Sequence, residues 1–225
     1  MSKFLNMDCM EGMKKYPDKY FDLAIVDPVY GDVTQGAYMS HKGGEKYKNS
    51  AAHQCTYHNG IWDQAKTPKE YFDELFRVSK NQIIWGGQYF VEEINKNSQC
   101  WIVWDKRHPE GVDFADCELA YTSFNKAARM FRFMWNGMLQ ENMKDKEYRI
   151  HPTQKPVALY EWCINKFANP DDIILDTHVG SGSSLIACHK TGHEYVGFEI
   201  DKTYFDLAKK RIDQETAQQM LWEYL

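Results

Sequence analysis

Residues 172–201 read DIILDTHVGSGSSLIACHKTGHEYVGFEID. The apolar run Ile173-Ile174-Leu175 stops on Asp176, and the small residues Gly180, Ser181 and Gly182 follow as a turn. Ser184 to Lys190 then has helical composition, and Tyr195 to Phe198 forms a second apolar run that ends on Glu199. The pattern predicts a strand, a tight turn, a helix and a second strand. In such units a ligand lies outside the carboxyl ends of the strands, where glycine lets the backbone come close and an acid can bind both hydroxyls of a ribose. The spacing is GxG rather than GxGxxG. It suits an adenosyl-type ligand without a pyrophosphate better than NAD. It also suits a plain turn that closes a helix onto a sheet.

Other segments extend the pattern. Apolar runs at 21–27 (FDLAIVD), 82–87 (QIIWGG), 100–105 (CWIVWD) and 117–124 (CELAYTSF) read as further buried strands. Helices are expected at 67–79, with Thr67 as N-cap and Pro68 in the first turn, at 155–168, and at 202–219. Strands alternating with helices predict an α/β fold with a mostly parallel sheet of about seven strands, as a single Rossmann-like domain over 1–225. Residues 31–66, 105–116 and 136–151 are polar and irregular. Loops of such length tend to carry function.

The 225 residues are 43% hydrophobic, enough for a sizeable core, and the net charge is −5. A nucleic-acid partner would therefore be met by a local basic patch, not by the field of the whole chain. Six scattered cysteines without a CxxC pair, no apolar signal core and no membrane-length apolar run suggest a cytoplasmic protein with reduced thiols and no membrane partner.

Two more stretches carry chemistry. DLAIVDPVYG at 22–31 runs a buried strand into Asp27, Pro28 and Tyr30. HPTQKP at 151–156 places Thr153 and Lys155 at a helix entrance, where polar groups and free N–H groups can hold a carboxylate. Taken alone, the first is a strand-end turn and the second an N-cap with a neighbouring lysine.

In the order DPVYG, HPTQKP, DTHVGSGSS (176–184) and GFEID (197–201), these stretches resemble the amino-group DNA methyltransferases of the permuted beta class. The chain is similar to small phage or prophage members, and the opening MDCMEGMKKYP resembles the adenine-contacting strand end of that family. The resemblance implies a methyltransferase fold with circularly permuted motif order and S-adenosylmethionine as cofactor. It assigns Asp27, Pro28 and Tyr30 to catalysis. It assigns Asp8, Cys9, Thr153, Lys155, Asp176, Gly180, Gly182, Ser183 and Glu199 to the cofactor. The Asp27 side chain and the Pro28 carbonyl would accept the N–H groups of an exocyclic amine, and Tyr30 would stack on a flipped base. The chain departs from the family pattern twice. Val29 stands in place of a second proline, and Thr177-His178 stands in place of Pro-Phe, with His178 read as a polar filler.

The implied substrate is duplex DNA, methylated at N6 of adenine. The alternatives are N4 of cytosine, or a non-catalytic DNA-binding subunit that kept the fold. The three irregular segments are the expected DNA-facing loops, with Lys42, Lys46, Lys48, Lys106, Arg107, Arg129, Arg132, Lys144, Lys146 and Arg149 as a phosphate patch. A homodimer is a further expectation. His53, Cys55 and His58, with His41 nearby, have metal-ligand chemistry but not a common zinc spacing, and no metal is expected.

Overall fold

The computed structural model describes residues 2–31, 65–108, 115–136 and 139–223, with side chains to residue 217. His41, His53, Cys55, His58, Lys42, Lys46 and Lys48 lie outside the described residues, as do most of 31–66 and half of 105–116.

The strands are β1 (Lys3–Asn6), β2 (Phe21–Val26), β3 (Ser79–Trp85), β4 (Ile102–Asp105), β5 (Cys117–Thr122), β6 (Arg129–Arg132), β7 (Trp135–Asn136), β8 (Leu139–Gln140), β9 (Ile174–Asp176) and β10 (Tyr195–Glu199). The helices are α1 (Cys9–Met13), α2 (Lys69–Val78), α3 (Val91–Ile94), α4 (Val157–Phe167), α5 (Ser183–Lys190) and α6 (Lys202–Glu223). One sheet of eight strands, close to the expected seven, runs in the order β1-β10-β9-β2-β3-β5-β4-β6, and β7 and β8 form a separate antiparallel pair. Every neighbouring pair is parallel except those made by β5.

The strand runs are apolar because both faces of the sheet are covered. Along β2, Leu23 and Ile25 point into one core with Ile164 and Leu185, while Ala24 and Val26 point into the other with Phe72 and Leu75. This strict period of two gives three layers: α4 and α5 on one side, and α1, α2 and α3 on the other.

Three expectations need correction. The sheet gains β1 and β6, in each of which an apolar pair (Phe4-Leu5 and Met130-Phe131) is flanked by polar residues, too short a run to show a period. Segment 136–151 contains part of the β7–β8 pair rather than being wholly irregular. The N-cap of α2 is Pro68 with no side-chain cap, because the Thr67 hydroxyl donates instead to the Val29 carbonyl at 3.1 Å.

The sheet order positions the site. β2 and β9 are adjacent and parallel, with Leu23 opposite Ile174 and Ala24 opposite Leu175. From β9 the sheet extends outward through β10 to β1, whereas from β2 it extends the other way through β3. In open α/β sheets the ligand crevice forms at the carboxyl ends where two such halves diverge. Asp27 and Asp176 stand at that divergence, although 149 positions separate them in sequence.

Candidate active site

Asp27 follows directly on β2, and its two carboxylate oxygens have different partners. The Tyr30 hydroxyl donates to Oδ1, and the buried Lys155 ammonium donates to Oδ2. Burial lowers the Lys155 pKa, but Asp27 and Glu118 outweigh it and raise the ammonium pKa above its usual range. Among the described residues, no hydrogen bond to the Pro28 carbonyl is formed. This leaves a carbonyl acceptor beside a carboxylate acceptor.

The Tyr30 ring is placed by glycine. A Cβ on Gly86, whose φ is +66°, would lie 2.2 Å from Tyr30 Cε1, so a side chain there would collide with the ring. Tyr89 at 5.1 Å and Phe90 at 5.9 Å between ring centroids complete an aromatic wall. The Val29 carbonyl accepts both the backbone N–H and the hydroxyl of Thr67, each at 3.1 Å. Those two bonds restrain the turn where a second proline is missing.

On the other side of the crevice, Asp176 is buried. The Ser184 hydroxyl donates to its Oδ2, and the His178 N–H donates to Oδ1 at 2.9 Å. Burial pushes its carboxyl up to about 7. Thr177 and His178 are not loose fillers. The Thr177 hydroxyl lies 2.5 Å from the Tyr71 hydroxyl and 2.9 Å from His178 Nδ1, and the His178 ring meets Tyr71 edge-on at 5.3 Å. Burial lowers the imidazole to about 4, so it is neutral at pH 7.

Gly180 and Gly182 have φ of +53° and +81°. The Gly180 N–H donates to Glu199 Oε2 at 2.8 Å, and the Asp201 N–H donates to Oε1 at 2.9 Å. Glu199 ends β10 beside the end of β1, and there the Met7 N–H reaches its carbonyl at 3.1 Å. Asp8 comes next in the chain and caps α1 through the N–H groups of Met10 (2.8 Å) and Glu11 (3.1 Å). Cys9 is half-buried, and burial together with Asp8 pushes its thiol up to about 12. The hydroxyl of Thr153 is 3.0 Å from His151 Nδ1. The Ser183 hydroxyl accepts from Arg211 at 2.9 Å, and that guanidinium also reaches Glu147 at 2.6 Å.

The fold thus brings Asp27, Pro28 and Tyr30 to one side of the crevice and Asp8, Cys9, Asp176, Gly180, Gly182, Ser183 and Glu199 to the other. Lys155, expected near the cofactor carboxylate, donates to Asp27. Sequence reasoning missed Gly86, Thr67, Tyr71, Arg211 and Glu118. Only Glu118 left a clear signal, as a lone acid in the apolar run CELAYTSF. Of the basic residues expected to meet phosphate, Lys106 pairs with Glu118, Arg107 with Glu141 and Arg132 with Asp105, while Lys144 and Lys146 are exposed.

Type II methyltransferase M.HinfI of Haemophilus influenzae is 26% identical to this chain, over 94% of it and 68% of the relative. The crystal structure of the M1.HpyAVI–SAM complex superimposes with a TM-score of 0.58 at 22% identity, covering 94% of this chain and 100% of that one. The cytosine-N4-specific PvuII DNA methyltransferase gives 0.57 at 10% identity, covering 96% and 92%. Residues 59–210, more than half of the chain, match the family model of the N6/N4 methyltransferases, described as DNA methylase, and the chain belongs to that family.

Proposed function

We propose that this protein is an active DNA methyltransferase that uses S-adenosylmethionine to methylate N6 of adenine in duplex DNA, with the permuted motif order of the beta class. The observation that carries the reading is the meeting, at adjacent strand ends, of the Asp27-Pro28-Tyr30 clamp and the glycine turn with its acids.

The residues present fit an adenosyl cofactor. Glu199 and Asp8 stand at neighbouring strand ends, where carboxylates can take ribose hydroxyls and adenine. The turn at Gly180 has room, since a Cβ there would meet nothing nearer than His151 at 3.7 Å. When bound, S-adenosylmethionine would supply an electrophilic methyl on a sulfonium; the methyl–sulfur bond would break as the methyl–nitrogen bond forms, with a neutral thioether as the leaving group and the amine proton lost to water. The M1.HpyAVI structure is a SAM complex, which supports the same cofactor here.

An exocyclic amine is a poor nucleophile because its lone pair is delocalised into the ring. The Asp27 carboxylate and the Pro28 carbonyl accept its two N–H groups and localise that pair. They also stabilise the positive charge that develops. A base inside a duplex cannot reach this crevice, so it is flipped out and stacked on Tyr30. The Tyr89 ring, 5.1 Å from the Tyr30 ring between centroids and tilted by 36°, steadies Tyr30 for that role. The test is transfer of labelled methyl to unmethylated duplex DNA followed by nucleoside analysis. N6-methyladenine is expected. N4-methylcytosine would reassign the base, and no labelled nucleoside would refute the enzyme.

A further inference from the structure

A row of alternating charges lies behind the clamp. Lys155 bonds Asp27 and is also 3.2 Å from Glu118 Oε2. Glu118 Oε1 is in turn 2.6 Å from Lys106. The Lys155 side chain is 5% exposed, so little water screens it. The Trp85 ring flanks Lys155 at 5.9 Å and the Trp104 ring flanks Lys106 at 5.3 Å, so the row is bordered by apolar surface. Glu118 comes from β5, opposite Trp104 of β4, a part of the sheet that contributes nothing to the cofactor side. Burial raises the Glu118 pKa, but Lys155 and Lys106 outweigh it and hold the carboxyl down to about 2.

The charges sum to zero: two carboxylates against two ammonium groups. Without Glu118 the row would carry a net +1 beside Asp27, where positive charge develops on the target amine. Lys155 would then pair with Asp27 alone and cancel the negative charge that the amine needs. Unit charges a few ångströms apart in a poorly solvated pocket change rates by on the order of tenfold or more. Accepting both lysines, Glu118 takes a share of the Lys155 ammonium and leaves Asp27 anionic toward the crevice.

We propose that Glu118 is a positioning residue for methyl transfer, acting through Lys155 to keep Asp27 an effective acceptor for the amine. This rests on the methyltransferase reading above. It also predicts that Lys106, at the far end of the row, acts with the opposite sign. Removing Lys106 leaves Glu118 to Lys155 alone and draws that ammonium away from Asp27.

The experiment measures single-turnover transfer from labelled S-adenosylmethionine at saturating duplex DNA, cofactor affinity by calorimetry, and thermal melting. E118Q is expected to lower the rate about 10- to 100-fold with cofactor affinity within about twofold. E118D should restore most of the rate, and K106M should raise it above wild type. If E118Q fails to fold, K106M decides alone: a faster enzyme supports the inference and a slower one overturns it. A wild-type rate in E118Q, or a parallel loss of cofactor affinity, also overturns it. If the wild-type chain transfers methyl normally, those failures leave the proposed function intact. If the wild-type chain transfers none to any DNA, that function and this inference fall together.

Discussion

Tyr30 performs two separable tasks: its ring forms the aromatic wall and its hydroxyl bonds Asp27. Y30A is expected to weaken capture of a flipped base by about 1–3 kcal/mol, the usual worth of a base–aromatic stack. Y30F should keep most of that affinity. A duplex with 2-aminopurine at the target position, followed by fluorescence, reports both, and equal loss in the two variants would assign the effect to the hydroxyl. Gly86→Ala should mimic Y30A, because its methyl must displace the ring and Gly86 also has a positive φ. The placement of Asp27 and Tyr30 at a strand end was legible as an apolar run that stops on Asp-Pro, but only the company of HPTQKP and the glycine turn gave it a chemical reading, since taken alone it is a strand-end turn. Gly86 was not legible, because the need for it arises from a ring that is 56 positions away in the chain. Lys155 was expected near the cofactor carboxylate, and its bond to Asp27 left no signal, since a lysine beside an N-cap and an ion-paired lysine look alike in sequence.

Among the elements, β2 and β9 were readable because strands buried on both faces are continuous apolar runs. Those same runs carry the stability. I25A, at a position 1% exposed, should cost about 2–5 kcal/mol in urea unfolding with an unchanged denaturant slope. β1, β6, β7 and β8 escaped notice because two to four residues of mixed polarity give no period. The end of β9 predicts a pH effect. The folded protein holds the Asp176 proton more tightly than the unfolded chain does, with a pKa of about 7 against an ordinary 3.8. The stability it contributes is therefore full below about pH 4 and lost as pH rises through about 7. D176N removes that loss. The melting temperature of D176N minus that of wild type should increase between about pH 5 and pH 8, and a constant difference would place the Asp176 pKa near its ordinary value.

At the scale of the molecule, sequence reading reached the α/β class, the mostly parallel sheet and the order of the motifs. It could not reach the adjacency of β2 and β9, because strand order follows from how the layers pack and not from local pattern. That adjacency turns separate stretches of chain into one crevice, and it implies that the cofactor half and the base half can be damaged independently. The most direct measurement is D27A, assayed for labelled methyl transfer to duplex DNA and for S-adenosylmethionine binding by calorimetry. Transfer should vanish while cofactor affinity stays within about threefold of wild type, given that Asp27 acts on the amine alone. Undiminished transfer, or loss of cofactor binding in step with transfer, would contradict the division of the crevice.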